Sequence, residues 1–123
     1  MSNIINRARN TFHLQAKQLH EVASKLDNQF ANVIDKIVEG KGRLIISGMG
    51  KSGHIGKKIF ATLVSTGTPS FFLHPAEAFH GDLGLILPND IFLGISNSGE
   101  TEELLKLIPF LKDNGNLIIA MTG

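Results

Sequence analysis

Three short stretches hold most of the residues able to do chemistry. "SGMGKSGHIG" (47–56) places Gly48, Gly50 and Gly53 around one cation, Lys51, and two hydroxyls, Ser47 and Ser52. "SNSGETEE" (96–103) supplies three hydroxyls within six residues, Ser96, Ser98 and Thr101, followed by Glu102 and Glu103. "HPAEAFHGDLG" (74–84) carries His74 and His80 together with Glu77 and Asp82. Glycines let backbone amides face a ligand at a helix start, and an ammonium beside them adds the charge an anion needs. Hydroxyls joined to amides suit a monoester phosphate held without a metal. Histidine and glutamate are the side chains that most readily move protons near neutral pH.

The first stretch contains two phosphate-binding spellings, and neither is complete. Gly48-x-Gly50-x-x-Gly53 is the dinucleotide spelling, which expects an acidic residue about 20 residues on, at the end of the second strand. That strand ends instead in Leu73-His74-Pro75, and Glu77 comes late. Gly50-Lys51-Ser52 is the tail of a P-loop, whose first glycine would fall at position 45, where this chain has Ile45. A shorter anion loop remains. The competing reading of the second stretch is ordinary capping, with Ser98 or Thr101 as N-cap and Glu102 or Glu103 in the first turn. Beside a second Gly-Lys-Ser loop, phosphate is the preferred reading. His74 and His80 are six apart, which is not the i, i+4 spacing of a helical metal pair, and structural packing competes with function at each.

The elements that must position these stretches show in the apolar pattern. "RLIISG" (43–48), "SFFLH" (70–74), "DIFLGIS" (90–96) and "NLIIAMTG" (116–123) are short continuous apolar runs. Continuous runs suit parallel strands covered on both faces. Helix-like stretches at 52–66 and 100–113 separate them, so the fold class is α/β with a doubly wound parallel sheet. Ligands bind such sheets at the carboxyl ends of the strands, which puts the loops at 47–53, 74–81 and 96–101 on one edge. Ahead of the sheet, residues 1–41 read as a helical segment. Leu19, Val22, Leu26, Phe30, Val33, Ile34 and Ile37 recur at helical steps, Asp27-Asn28 is a candidate break, and Gly40 or Gly42 a candidate cap. That apolar face serves either core packing or a partner helix. The run "AMTG" closes a strand where a doubly wound fold calls for another loop and helix, so the sequence reads as a fragment truncated after about four strands.

Bulk properties narrow the class. The 123 residues amount to one small domain, and 42% apolar content is enough for a core. Twelve basic and eleven acidic residues leave a net charge of +1, which offers nothing to nucleic acid or an anionic membrane surface. The absence of cysteine excludes disulfides and thiolate zinc sites. The start lacks a signal peptide's apolar core, and no apolar run approaches the roughly 20 residues of a membrane helix. A cytoplasmic domain is expected.

Taken together, "GMGKSGHIGKK", "STGTPSFFLHPAEAFHGDLG" and "ISNSGETEE" resemble the sugar isomerase (SIS) fold, and more narrowly the arabinose-5-phosphate isomerases of the KdsD/KpsF/GutQ type. The likeness runs from about residue 42 to 123, which makes 42–123 the first part of a sugar-phosphate-binding domain with flavodoxin-like strand order. "SNSGE" marks SIS domains in general, and the other two strings are more specific. The resemblance implies reversible conversion of D-ribulose 5-phosphate to D-arabinose 5-phosphate, feeding synthesis of an eight-carbon acid sugar of lipopolysaccharide or capsule. It implies no cofactor, and a homo-oligomer, a tetramer, with active sites shared between subunits. By position, Lys51 and Glu103 fall on functionally important places and Gly67, Thr68 and His80 on substrate contacts. His74 falls on a position able to bind a zinc ion that turnover does not need. The resemblance also implies a further glutamate and histidine in a second half of the domain, and commonly paired CBS domains after it.

Aldose–ketose isomerisation moves a proton between C1 and C2 through an enediolate, which needs a base near the carbons and a cation or donors near the oxygens. Lys51 is the candidate for the oxygens, His80 for donation or ring opening, and Glu103 for the carboxylate. Ser96, Ser98 and Thr101, with Ser47, Gly50 and Ser52, are the candidates for the phosphate. Two other classes stay open: a non-catalytic SIS module that binds a sugar phosphate and regulates a partner, and a helix-mediated assembly domain with no ligand. A chain ending at Gly123 is expected to bind phosphate weakly without turnover.

Overall fold

Each apolar run becomes a strand of one parallel sheet in the computed structural model, which describes residues 2–123. The strands are β1 (Leu44–Gly48), β2 (Ser70–Phe72), β3 (Ile91–Ser96) and β4 (Leu117–Thr122). Their order is β2-β1-β3-β4, all parallel, with Leu44 opposite both Ser70 and Ile91, and Ile91 opposite Leu117. This is the flavodoxin-like order expected from the sequence. Contacts divide the chain into two compact units, one up to Asp35 and one of Lys36–Gly123.

In the first unit, helix α1 (Ser2–Lys25) buries no residue, and helix α2 (Asn28–Glu39) begins there and runs on into the second unit. The break between them falls where the sequence indicated. The Asp27 carboxylate accepts from the Gln29 N–H at 2.9 Å and the Phe30 N–H at 3.4 Å, satisfying two amides that a helix start leaves open. Leu19, Val22, Leu26, Phe30 and Ile34 are exposed.

The second unit has two cores, one on each sheet face. Helix α3 (Gly50–Ser65) covers one face. Its Ile59, Phe60 and Leu63 pack with Leu44, Ile46, Ile91, Leu93 and Ile95. The other face is covered by α4 (Pro75–Ala78), a 3-10 turn at Asp82–Leu85, α5 (Glu102–Leu105) and α6 (Ile108–Asp113), where Ala78, Leu104, Leu107 and Leu111 pack on Ile45 and Phe92. Alternate strand residues therefore go to opposite cores, which is why the runs are apolar without alternation. The helix expected over 100–113 is split in two. Pro109 has no N–H and crowds the carbonyl four residues back, that of Leu105, where α5 ends.

One polar clasp ties the amino ends of three strands. Asp90, 2% exposed, accepts from the Arg43 backbone N–H and guanidinium and from the Leu87 N–H, with Arg43 Nη2 at 2.7 Å. Asn116 donates to the carbonyls of Asp90 and Leu87. Burial disfavours the charged Asp90 carboxylate, but the hydrogen bonds from Arg43 and Leu87 and the Arg43 charge outweigh it and hold its pKa below the usual range. Among the described residues, no helix is long and apolar enough to cross a membrane.

Candidate functional site

The strand order creates the crevice. From β1 the chain leaves through α3 toward β2, on one side; from β3 it leaves through α5 and α6 toward β4, on the other. The loops after β1 and β3 diverge and leave an opening at the carboxyl ends, where ligands bind in open α/β sheets. An open cleft of about 290 Å³ lies there, lined by Lys51, Ser52, Ile55, Ile95, Asn97, Met121, Thr122 and Gly123.

The first wall is the start of α3. Its N-cap residue, Met49, offers no side chain to the first amides, and Gly50 takes φ +55 to turn the chain into the helix. Gly53 lets that turn sit tight on the strand end, since a Cβ there would lie 2.6 Å from the Gly48 carbonyl oxygen. The result is a sixteen-residue helix with open amides and an exposed Lys51 in its first turn. Ser47 is not part of this wall. It is fully buried, and its hydroxyl donates to the Leu73 carbonyl at 2.6 Å, tying the end of β1 to the segment that enters His74.

The second wall is the hydroxyl loop. Ser96 Oγ and Thr101 Oγ1 are 2.7 Å apart, and Ser96 Oγ also accepts from the Gly99 N–H at 3.1 Å. Ser98 Oγ accepts from the Glu100 N–H at 3.1 Å, leaving its own O–H free to donate outward. Thr101 is the N-cap of α5 yet makes no capping bond with its side chain. The Ser96 and Thr101 hydroxyls thus bond to each other and shape the loop; they do not cap the helix. Glu103 follows in the first turn of α5, exposed.

The remaining sequence candidates separate. The segment with His74 and His80 leaves the same edge as the two walls, and α4 within it packs beside α5. His80 is exposed in the turn after α4. Gly67 and Thr68 lie between α3 and β2, at the amino ends of the strands, with Arg43, Val64, Pro69 and Ser70 around a second hollow. Helix α3 runs back along the sheet, so the structure does not bring them to the cleft of their own chain. His74 Nδ1 accepts the Ala76 N–H at 3.2 Å, which leaves Nε2 as its one nitrogen for a ligand. Among the described residues no three His, Asp or Glu side chains gather for a metal. Sequence reasoning passed over Asn97, Thr122 and Gly123. The one signal for Asn97 was its place between Ser96 and Ser98; for the other two it was the end of a parallel strand beside β3.

Residues 36–123 match the SIS domain family. The chain belongs to that family. Over 98% of its length the SIS chain is 57% identical to arabinose 5-phosphate isomerase KpsF of Escherichia coli O6:H1, and 47% identical to arabinose 5-phosphate isomerase KdsD of Pseudomonas aeruginosa. It spans 37% of the length of each. Among solved structures, E. coli CFT073 c3406 in complex with arabinose 5-phosphate superposes with a TM-score of 0.92 at 43% identity, covering 98% of this chain and 64% of that one. A Bacteroides fragilis phosphosugar isomerase involved in capsule formation superposes with a TM-score of 0.84 at 40% identity, covering 95% and 65%. In this SIS chain the two walls are the β1–α3 turn and the β3–α5 loop.

Proposed function

We propose that this chain is the first part of a cytoplasmic aldose–ketose isomerase that interconverts D-ribulose 5-phosphate and D-arabinose 5-phosphate, on the route to 3-deoxy-D-manno-octulosonate. The observation that carries the reading is one cleft lined by Lys51 and Ser52 from the start of α3 and by Asn97 from the loop that carries Ser96, Ser98 and Thr101, in a SIS chain so similar to enzymes of that name. The phosphate is held by Ser98, Thr101 and the open amides of α3, which fixes the sugar carbons in place. A carboxylate takes the proton from C2 of the aldose and returns it to C1, and Glu103 is this chain's candidate for it. Lys51 stabilises the enediolate oxygens that carry charge in between, and His80 donates to a sugar oxygen. Ser47 supports the wall from within, and Gly67 and Thr68 have no place in this cleft of a single chain.

The test is a discontinuous assay of the natural full-length protein with arabinose 5-phosphate, chelator present, following ketose formation. Turnover without added metal is expected. Tight binding of the sugar phosphate with no ketose formed would overturn the reading in favour of a regulatory SIS module.

A further inference from the structure

The end of β4 meets the hydroxyl loop through a contact that glycine alone permits. Thr122 stands opposite Ser96 in the last register position of β3 and β4. One residue on, the Gly123 N–H donates to the Asn97 carbonyl at 3.0 Å, tying the loop to the strand beyond Ser96. A Cβ at position 123 would stand 2.5 Å from Asn97 Oδ1 and 2.8 Å from its backbone oxygen, closer than packed atoms approach. Gly123 is not among the glycines with positive φ, so closeness is the reason for glycine here. The Asn97 side chain is exposed on the cleft, next to Lys51 and Ser52.

Inside the loop, Ser96 Oγ bonds to the Thr101 hydroxyl and the Gly99 amide, and Ser98 Oγ to the Glu100 amide. Those bonds give the loop its shape but do not anchor it toward Lys51. The approach of β4 supplies that anchor. We propose that Gly123 is a positioning residue: its bare Cα lets β4 close onto Asn97 and so holds Ser98 and Thr101 at the distance from Lys51 that a sugar phosphate requires. The inference rests on the phosphate reading of this cleft. A side chain at 123 has to push Asn97, and the loop with it, away from the strand.

The experiment uses the natural full-length chain with Gly123→Ala, Asn97→Ala and the double variant. It reads inorganic phosphate affinity by calorimetry, KM and kcat on arabinose 5-phosphate, and the thermal midpoint. Gly123→Ala is expected to weaken phosphate and raise KM about tenfold, within what a small misplacement costs, with kcat changed less than about threefold. Asn97→Ala removes the Oδ1 contact and keeps the backbone oxygen at 2.8 Å, so in that background the same substitution should cost less than in wild type while still costing some affinity. Wild-type affinity in Gly123→Ala, or equal losses in both backgrounds, overturns the proposal. If Gly123→Ala does not fold by itself, the double variant decides, since it lacks the Oδ1 contact and keeps the crowding at the Asn97 backbone oxygen. Phosphate weakened about threefold or more relative to Asn97→Ala alone upholds the positioning role, and equal affinity in the two refutes it. A wild-type chain that binds phosphate but forms no ketose sinks the isomerase reading alone, and the role of Gly123 is then read from the phosphate affinities.

Discussion

At the scale of single residues, Lys51 is the side chain on which the proposed chemistry leans most. It sits exposed in the first turn of a helix whose amides lack a side-chain cap, on the cleft that Ser52 and Asn97 share. Lys51→Ala in the full-length protein is expected to lower kcat at least about tenfold, the low end of what one lost electrostatic contact to a transition state costs. Lys51→Arg should recover only part of it, because a planar fork is not a compact ammonium. Steady-state kinetics on arabinose 5-phosphate check this, and wild-type rates in Lys51→Ala would remove Lys51 from the mechanism. Ser47 shows how residue type alone misleads. A serine ending a strand beside a glycine-rich turn reads as a ligand contact, yet strand pairing turns it inward to Leu73. Which way a side chain faces at a strand end depends on the neighbouring strand, and that is not a local property.

At the scale of elements, the clasp at the amino ends of β1, β3 and β4 concerns stability, because the cleft lies at the opposite edge. Arg43 binds Asp90 through its backbone N–H and its guanidinium, and Asn116 closes the group from the start of β4. Asp90→Asn is expected to cost about 2 kcal/mol in denaturant unfolding, the scale of hydrogen bonds to charged groups. The pH dependence follows from the lowered pKa of Asp90. A carboxyl depressed in the folded state stabilises fully above the unfolded value of about 3.9, and that stability is lost as pH falls through the folded value. Wild type should therefore lose stability on acidification below about pH 4 more steeply than Asp90→Asn does. Parallel slopes for the two proteins would show that the clasp carries no such linkage. The sequence showed Arg43 and Asp90 only as charges flanking apolar runs, and 47 residues separate the pair.

At the scale of the whole molecule, the helical segment poses a question of assembly. Leu19 and Val22 on α1, Leu26 in the break after it, and Phe30 and Ile34 on α2 recur at three- and four-residue steps and are exposed. A stripe of this kind exposed to water is costly, at about 25 cal/mol per Å² of apolar surface. The protein is expected to form at least a dimer with residues 14–38 in the interface. Light scattering checks it, and a monodisperse monomer at high concentration counts directly against it. Charged substitutions at Val22 and Phe30 should lower the mass if the interface is placed correctly.

The sequence by itself determined the class of the fold and the sheet edge to which the loops after β1 and β3 belong. Unbroken apolar runs need two covered faces, and only a parallel sheet between helices provides them. The Gly-Lys-Ser and Ser-Asn-Ser-Gly strings lie at strand ends, so their common edge followed from the rule for parallel sheets. The break at Asp27 was legible because a capping carboxylate acts over two and three residues. Tertiary structure alone decided the rest. The strand order β2-β1-β3-β4 opens the crevice between β1 and β3 and sends Gly67 and Thr68 to the far edge. The pairing of β4 with β3 brings Gly123 onto Asn97, although α5 and α6 lie between them along the chain. These placements are long-range because hydrogen bonding between strands, not any local preference, sets which strand ends become neighbours.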